Sequence, residues 1–233
     1  MKILGLDTET TGLNPQTDSI TEVGLVLFDT EVRVPVRVSG FLVKGGFISE
    51  EITRVTGLTN ELTAEYGYTQ QLACKAIAHM ALGADYFCAH NAPFDRGFVS
   101  EMFRKEKMES PLKPWIDTRT DLPPEAYKKG KSASLKYLCC DHAIYYHAHR
   151  AVNDVLAMLE LFSRYDLDTI CERAATPNVE VRAVVSFDDK QLAKERSYYW
   201  KPELKQWRKP MKANEVEREK NEAPFPVILI EGE

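Results

Sequence analysis

Lys2-Ile3-Leu4-Gly5-Leu6-Asp7-Thr8-Glu9-Thr10-Thr11-Gly12-Leu13 opens the chain with an apolar run that stops abruptly at two acids. Residues 2–6 read as a short buried strand. Side chains alternate across a strand, so Asp7 and Glu9 project from the same face at its end. Two carboxylates side by side repel each other unless a cation lies between them. Taken alone, an Asp-x-Glu pair is most often a solvated strand end, so the rest of the chain must decide.

Working outward, residues 21–28 alternate as a second strand, with Val23, Leu25 and Leu27 against Glu22, Gly24 and Val26. Residues 32–38 alternate again, and 41–43 continue that hairpin. Pro35 puts this strand at an edge or a bulge, because proline cannot donate to a central ladder. The period then changes. Thr69 caps a helix through Leu82. Residues 86–89 form a buried strand, and Pro93 opens a helix to about Lys105. Residues 115–117 make a short strand, Ser132 or Ser134 caps a helix to Cys140, and a long helix runs from about Arg150 to Tyr165. Three antiparallel strands followed by alternating helices and strands give an α/β domain with a mixed sheet.

The length of 233 residues allows one full domain and a small second one at roughly 150 residues per domain. Residues 1–173 are assigned to the first, 174–179 (Ala-Ala-Thr-Pro-Asn-Val) to a linker, and 180–233 to a small α+β module with a charged tail. Hydrophobic residues at 44% and charged residues at 28% exclude disordered, collagenous and coiled-coil classes. No stretch reaches the ~18 apolar residues of a membrane helix, and the opening apolar run is too short for a signal peptide, so a cytoplasmic protein with no membrane partner is expected. Five cysteines without metal spacing fit reduced thiols.

The net charge of -5 is unevenly spread. Residues 190–212 hold eight basic residues against two acids, a local +6 that leaves -11 on the rest of the chain. An acidic body with a basic appendage suits a metal enzyme acting on a polyanion.

Two further acidic elements bear on the first. His90-Asn91-Ala92-Pro93-Phe94-Asp95 runs from a buried strand into a helix, with Asp95 in its first turn. His149-Arg150-Ala151-Val152-Asn153-Asp154 opens the long helix. Five residues at about 100° each leave a net ~140°, so His149 and Asp154 cannot share a helical face. His149 must lie on the preceding loop if both serve one site.

In this order the three elements resemble the motifs of the DEDDh (DnaQ-like) 3′-to-5′ exonucleases of ribonuclease H-like fold. Asp7-Thr-Glu9-Thr-Thr-Gly-Leu is similar to the first motif, His90-Asn-Ala-Pro-Phe-Asp95 to the second, and His149-x-Ala-x-x-Asp154 to the histidine-bearing third. The spacing of the tyrosine-bearing branch is not matched. The resemblance spans about residues 1 to 165 and implies a five-stranded mixed sheet flanked by helices. It further implies Asp7, Glu9, Asp95 and Asp154 as ligands of two Mg²⁺ ions, with Mn²⁺ a workable substitute, and His149 as general base. By motif position it assigns Thr8, Thr10, Leu13, Asn91 and Phe94 to substrate binding, Leu13 wedged against the last bases. His147, His142 and His79 are read as loop, surface or helix positions, Asp117 as a capping residue, and Cys139-Cys140 as packing.

The expected activity is metal-dependent removal of nucleotides from the 3′ ends of single-stranded DNA, in proofreading, repair or degradation. Thr10 stands where the oligoribonuclease branch carries methionine, which favours DNA over RNA. The alternatives are an exoribonuclease or oligonucleotide-trimming enzyme, and a nonhydrolytic protein docked on a polymerase or repair complex. In the C-terminal module, Lys194, Arg196, Trp200, Trp207 and Arg208 are candidate nucleic-acid contacts, because cations interleaved with aromatics track a phosphate backbone while stacking bases.

Overall fold

The apolar opening folds as β1 (Lys2–Thr10) and runs past Leu6 to carry both acids within the strand. It pairs antiparallel with β2 (Ile20–Asp29), which pairs antiparallel with β3 (Val34–Leu42). β4 (Tyr86–Ala89) lies parallel to β1, and β5 (Trp115–Asp117) parallel to β4. The computed structural model describes residues 1–127 and 132–230, and among these the first sheet has the order β3-β2-β1-β4-β5. Pro35 sits at the expected edge strand, where the ladder shifts register between Leu27 and Phe28.

Two short helices, α1 (Glu50–Thr56) and α2 (Asn60–Tyr66), precede α3 (Gln70–Ala81). Each of the three has a Ser or Thr whose hydroxyl accepts from a backbone N–H of its first turn: Ser49, Thr59 and Thr69. α4 (Ala92–Lys105) follows β4, and α5 (Leu135–Asp141) begins after Ser134. α6 (Ala151–Phe162) is the long helix, and α7 (Leu167–Ala175) closes the domain.

The period of two in β1 splits the core. Leu4 and Leu6 pack with Ile77 of α3 and Phe98 and Phe103 of α4. Ile3 packs on the other face with Val155 and Leu159 of α6. Asp7 and Glu9 continue the α6 face, while Thr8 continues the α4 face.

Helix α6 lies unusually close to the sheet because glycines floor its path. A Cβ on Gly24 would fall 2.3 Å from the Ala151 carbonyl carbon, one on Gly5 2.6 Å from Val155, and one on Gly40 2.4 Å from Val152. Gly24 pairs with Asp7 on β1 and with Gly40 on β3. The opening turn of α6 therefore rests on the backbone next to the first acid.

The C-terminal module is a second, antiparallel sheet of order β7-β8-β6-β9, formed by β6 (Asn178–Ala183), β7 (Tyr199–Lys201), β8 (Gln206–Lys212) and β9 (Val227–Ile230). With α8 (Lys190–Glu195) and α9 (Val216–Glu222) it encloses Val181, Ala193, Tyr198, Val216, Phe225 and Val227. The stretch 174–179 departs from the expected linker: α7 extends to Ala175 and β6 begins at Asn178, leaving only Thr176 and Pro177 between them. Among the described residues no helix is long and apolar enough to cross a membrane.

Candidate active site

Strand β1 delivers Asp7 and Glu9, and the first turn of α6 delivers Asp154, so that one carboxylate oxygen from each lies within 4.8 Å of the other two. Asp154 is held at both oxygens. Its Oδ2 accepts from the Arg150 backbone N–H at 3.0 Å and its Oδ1 from the Tyr146 hydroxyl at 3.2 Å.

Asp95 arrives from the other side of the sheet. It is buried in the first turn of α4, and its Oδ1 accepts from the Thr8 hydroxyl at 2.8 Å. It stands outside the tight group of three, yet its charge raises the carboxyl of Asp7.

Crowding and burial push all four acids toward their protonated forms. Burial comes first for Asp7, followed by Asp95, Asp154 and Glu9, and its carboxyl is held well above the usual carboxylate range. Glu9 is pushed up to about 8 by burial and then by Asp154 and Glu22. Asp95 is pushed up to about 7, chiefly by burial, with the Thr8 hydrogen bond opposing. Asp154 is raised by burial against the pull of Arg150, Tyr146 and the neighbouring His149. Buried like charges at this separation are the arrangement a divalent cation relieves, and an all-oxygen donor set suits a hard ion.

His149 lies exposed on the loop before α6, as the helical geometry requires, with a left-handed φ of 67°. The loop is tied to α6 by Tyr146 and by Asn153, whose side-chain amide donates to the His147 carbonyl at 3.2 Å. The start of α6 is in turn anchored to β2. Glu22, 4% exposed, accepts from Arg150 Nη2 at 2.8 Å and from the Ala151 backbone N–H at 3.1 Å.

The residues assigned to substrate binding divide. Leu13 stands 84% exposed just past the carboxylates. Thr8 is a correction: its hydroxyl is buried on the α4 face and turned to Asp95, so it orients a carboxylate rather than meeting solvent. The Thr10 hydroxyl closes the following turn by donating to the Gly12 carbonyl at 2.6 Å. Asn91 takes the left-handed conformation before α4, and Phe94 is half-buried against Phe98.

Asp117 has the capping duty expected of it, accepting from the backbone N–H groups of Asn91 at 2.8 Å and Arg119 at 2.9 Å. His90 is structural. Its ring meets Thr118 and the Ala133 carbonyl, and burial lowers its pKa to about 4.

The basic patch of the C-terminal module is also corrected. Arg196 pairs with Glu219 and Glu222, and Arg208 is buried against Glu180 at 2.8 Å. Lys201 pairs with Glu180, Lys209 with Glu219, and Lys212 with Asp121. The local +6 is thus largely neutralised by acids distant in sequence. Lys194 is exposed, and Trp200 is half-exposed against Trp207, with ring centroids 5.5 Å apart.

Tyr146, Glu22 and Arg150 escaped the sequence reading. Arg150 carried a signal in its place beside His149, whereas Glu22 and Tyr146 are brought in only by the tertiary fold.

The exonuclease family model RNase_T matches residues 4–162. The chain is 28% identical over 160 residues, 67% of its length, to the PolC-type DNA polymerase III of Ureaplasma parvum serovar 3, of which it covers 11%. It is 26% identical over 161 residues to the DNA polymerase III subunit epsilon of Treponema pallidum, covering 67% of this chain and 73% of that one. The chain thus spans about a tenth of the length of the PolC-type relatives.

Among solved structures, E. coli exonuclease I in complex with a dA16 oligonucleotide superposes with a TM-score of 0.64 at 17% identity, over 83% of this chain and 50% of that one. The nuclease domain of 3′hExo, a DEDDh family member bound to rAMP, gives 0.58 at 18% identity, over 70% and 90%. The ribonuclease H-like fold implied by the motifs is therefore the fold observed. Because the matched stretch runs from β1 through α6 and takes in every carboxylate of the cluster, the chain belongs to the RNase_T exonuclease family.

Proposed function

We propose that the chain is a cytoplasmic 3′-to-5′ exonuclease that trims single-stranded DNA ends, with Mg²⁺ held by Asp7, Glu9 and Asp154 and a second ion shared with Asp95. The observation that carries this reading is the close approach of Asp7, Glu9 and Asp154, whose ligand oxygens lie within 4.8 Å of one another. Divalent ions bound there would supply the positive charge that activates water and stabilises the departing 3′ oxygen.

The chain's own residues do the rest. His149, exposed on its loop, takes the proton of the attacking water. Tyr146 and the Arg150 N–H fix the plane of the Asp154 carboxylate. Leu13 presents an apolar edge against which the terminal base is placed.

DNA is favoured by Thr10 in the first motif and by the DNA polymerase names of the relatives, which also support a polymerase or repair complex as partner. RNA is the second reading, supported by the rAMP held by the similar 3′hExo domain. A 3′-labelled DNA strand and an RNA strand of the same sequence, each incubated with Mg²⁺, with Mn²⁺ and with EDTA, test both. Release of labelled mononucleotide from DNA, absent in EDTA, is expected. Loss of label from RNA alone would replace the substrate, and no release from either would overturn the reading.

A further inference from the structure

The C-terminal module is joined to the N-terminus of α4, the helix that carries Asp95, through a chain of polar contacts that is buried at the module end and part-buried beyond it. Lys212, at the end of β8, points its ammonium at Asp121 Oδ1, 2.6 Å away, and also donates to the Thr176 carbonyl at 3.2 Å. Both members of the pair are buried, at 2% and 3% exposure. The other oxygen of Asp121 accepts from the Asp117 backbone N–H at 2.8 Å. Asp117 in turn accepts from the Asn91 N–H at 2.8 Å, and Arg119 Nη1 donates to the Asn91 side-chain carbonyl at 3.2 Å.

Asn91 is the pivot. Its φ of 74° and ψ of 52° are left-handed, a conformation asparagine tolerates but one that needs holding, and its own side chain makes no capping hydrogen bond to the helix. Four residues later, on the first turn of the helix that Asn91 introduces, stands Asp95. The turn 117–121, closed by Asp121 on the Asp117 N–H, is gripped a second time. Arg173 donates to the Thr120 carbonyl at 3.2 Å while its other amine pairs with Glu215 of the module at 2.5 Å.

We propose that Lys212 is a positioning residue for the nuclease site, acting through Asp121, Asp117 and Asn91 to fix the N-terminus of α4 and with it Asp95. The module is then a working part of the catalytic domain rather than a detachable strand-binding appendage. A buried ammonium that lost its carboxylate, or the reverse, would leave an uncompensated charge. The turn would relax to rehydrate that charge, and Asn91 would lose its restraint. Catalysis responds steeply to such displacements, because the reacting groups must be held near their productive positions.

This proposal rests on the exonuclease reading above, and the test separates the two. Full-length wild type and Lys212→Met are assayed with Mg²⁺ on the p-nitrophenyl ester of thymidine 5′-phosphate, a substrate too small to touch the module, with thermal unfolding recorded in parallel. Val181→Ala, in the module's own core, serves as a control for general destabilisation. The expected result is a kcat about tenfold lower for Lys212→Met with KM unchanged, while Val181→Ala loses thermal stability and keeps its kcat.

An active wild type with Lys212→Met within about twofold of it in kcat would overturn the positioning role. So would an equal fall in Val181→Ala. A wild type inactive on this ester and on oligonucleotides would instead overturn the exonuclease reading and this role with it. If Lys212→Met does not fold, Asp121→Asn decides, since it keeps the shape of the side chain while removing the charge that Lys212 meets. A kcat about threefold lower at constant KM supports the proposal, and an unchanged kcat overturns it.

Discussion

The Thr8 hydroxyl donates to Asp95 Oδ1 at 2.8 Å from the face of β1 opposite to the one that carries Asp7 and Glu9. One strand thus addresses both halves of the site. Thr8→Val keeps the shape of the side chain and removes the donor. Asp95, already pushed up to about 7, then rises further, because that hydrogen bond stabilises its ionised form. Mg²⁺ affinity at neutral pH should fall about tenfold, and Thr8→Ser should restore it, as read by titration calorimetry.

Replacing Asp7 by Asn, Glu9 by Gln or Asp154 by Asn should each reduce turnover to background. The three losses should not add, because the residues act as a unit. In EDTA the same variants should unfold at a higher temperature than wild type at alkaline pH, where the crowded carboxylates are forced to ionise. A variant that kept near-normal turnover would remove that residue from the cluster.

The metal-free protein should lose stability with rising pH. Both Glu9 and Asp95 have folded values above their ordinary ones, 4.5 and 3.8, so the stability they contribute is complete below those values. It is lost as pH climbs through about 7 for Asp95 and about 8 for Glu9. His90 has the opposite sign: lowered from 6.5 to about 4, it costs stability only as pH falls through that window. Thermal unfolding in EDTA from about pH 6.5 to 9 should therefore show a decline, and Mg²⁺ should abolish it. A flat profile in EDTA would contradict the raised carboxyls.

His149→Ala should lower turnover by about 10²- to 10⁴-fold, the range of a positioned general base, and flatten the acidic limb of the rate profile. Metal binding should survive, since the exposed loop histidine stands outside the carboxylate group. Loss of metal affinity with the pH dependence intact would assign it a different role.

Gly24→Ala should cost about 1–3 kcal/mol, because its Cβ has no room against Ala151. The damage should also reach activity, since α6 must lift and carry Asp154 away from Asp7. Urea unfolding and turnover on the same preparation check the pair of effects.

The carboxylate site was largely legible in the sequence because its elements are local. The period of two put Asp7 and Glu9 on one face, and the helical angle between His149 and Asp154 sent the histidine to a loop, where it lies. Helices α1 and α2 are not legible because seven residues are too few for a periodic stripe, although Ser49 and Thr59 mark their starts. Glu22 escaped because its pairing with Arg150 spans 128 positions. The basic patch is deceptive for the same reason: its charge is continuous along the chain, while Glu180, Glu219 and Asp121 meet those cations only in space.

The glycines beneath α6 have a mechanical meaning. Where side chains separate a helix from a sheet, the gap follows their rotamers and breathes with them. At Gly24 the helix backbone meets the strand backbone with nothing between. The spacing between Asp154 and Asp7 is therefore set by peptide groups, the least compressible parts of the molecule. Loosening of the apolar core on warming, or exchange of one buried methyl group for another, should reach the three carboxylates last. The site keeps its gauge by having no cushion.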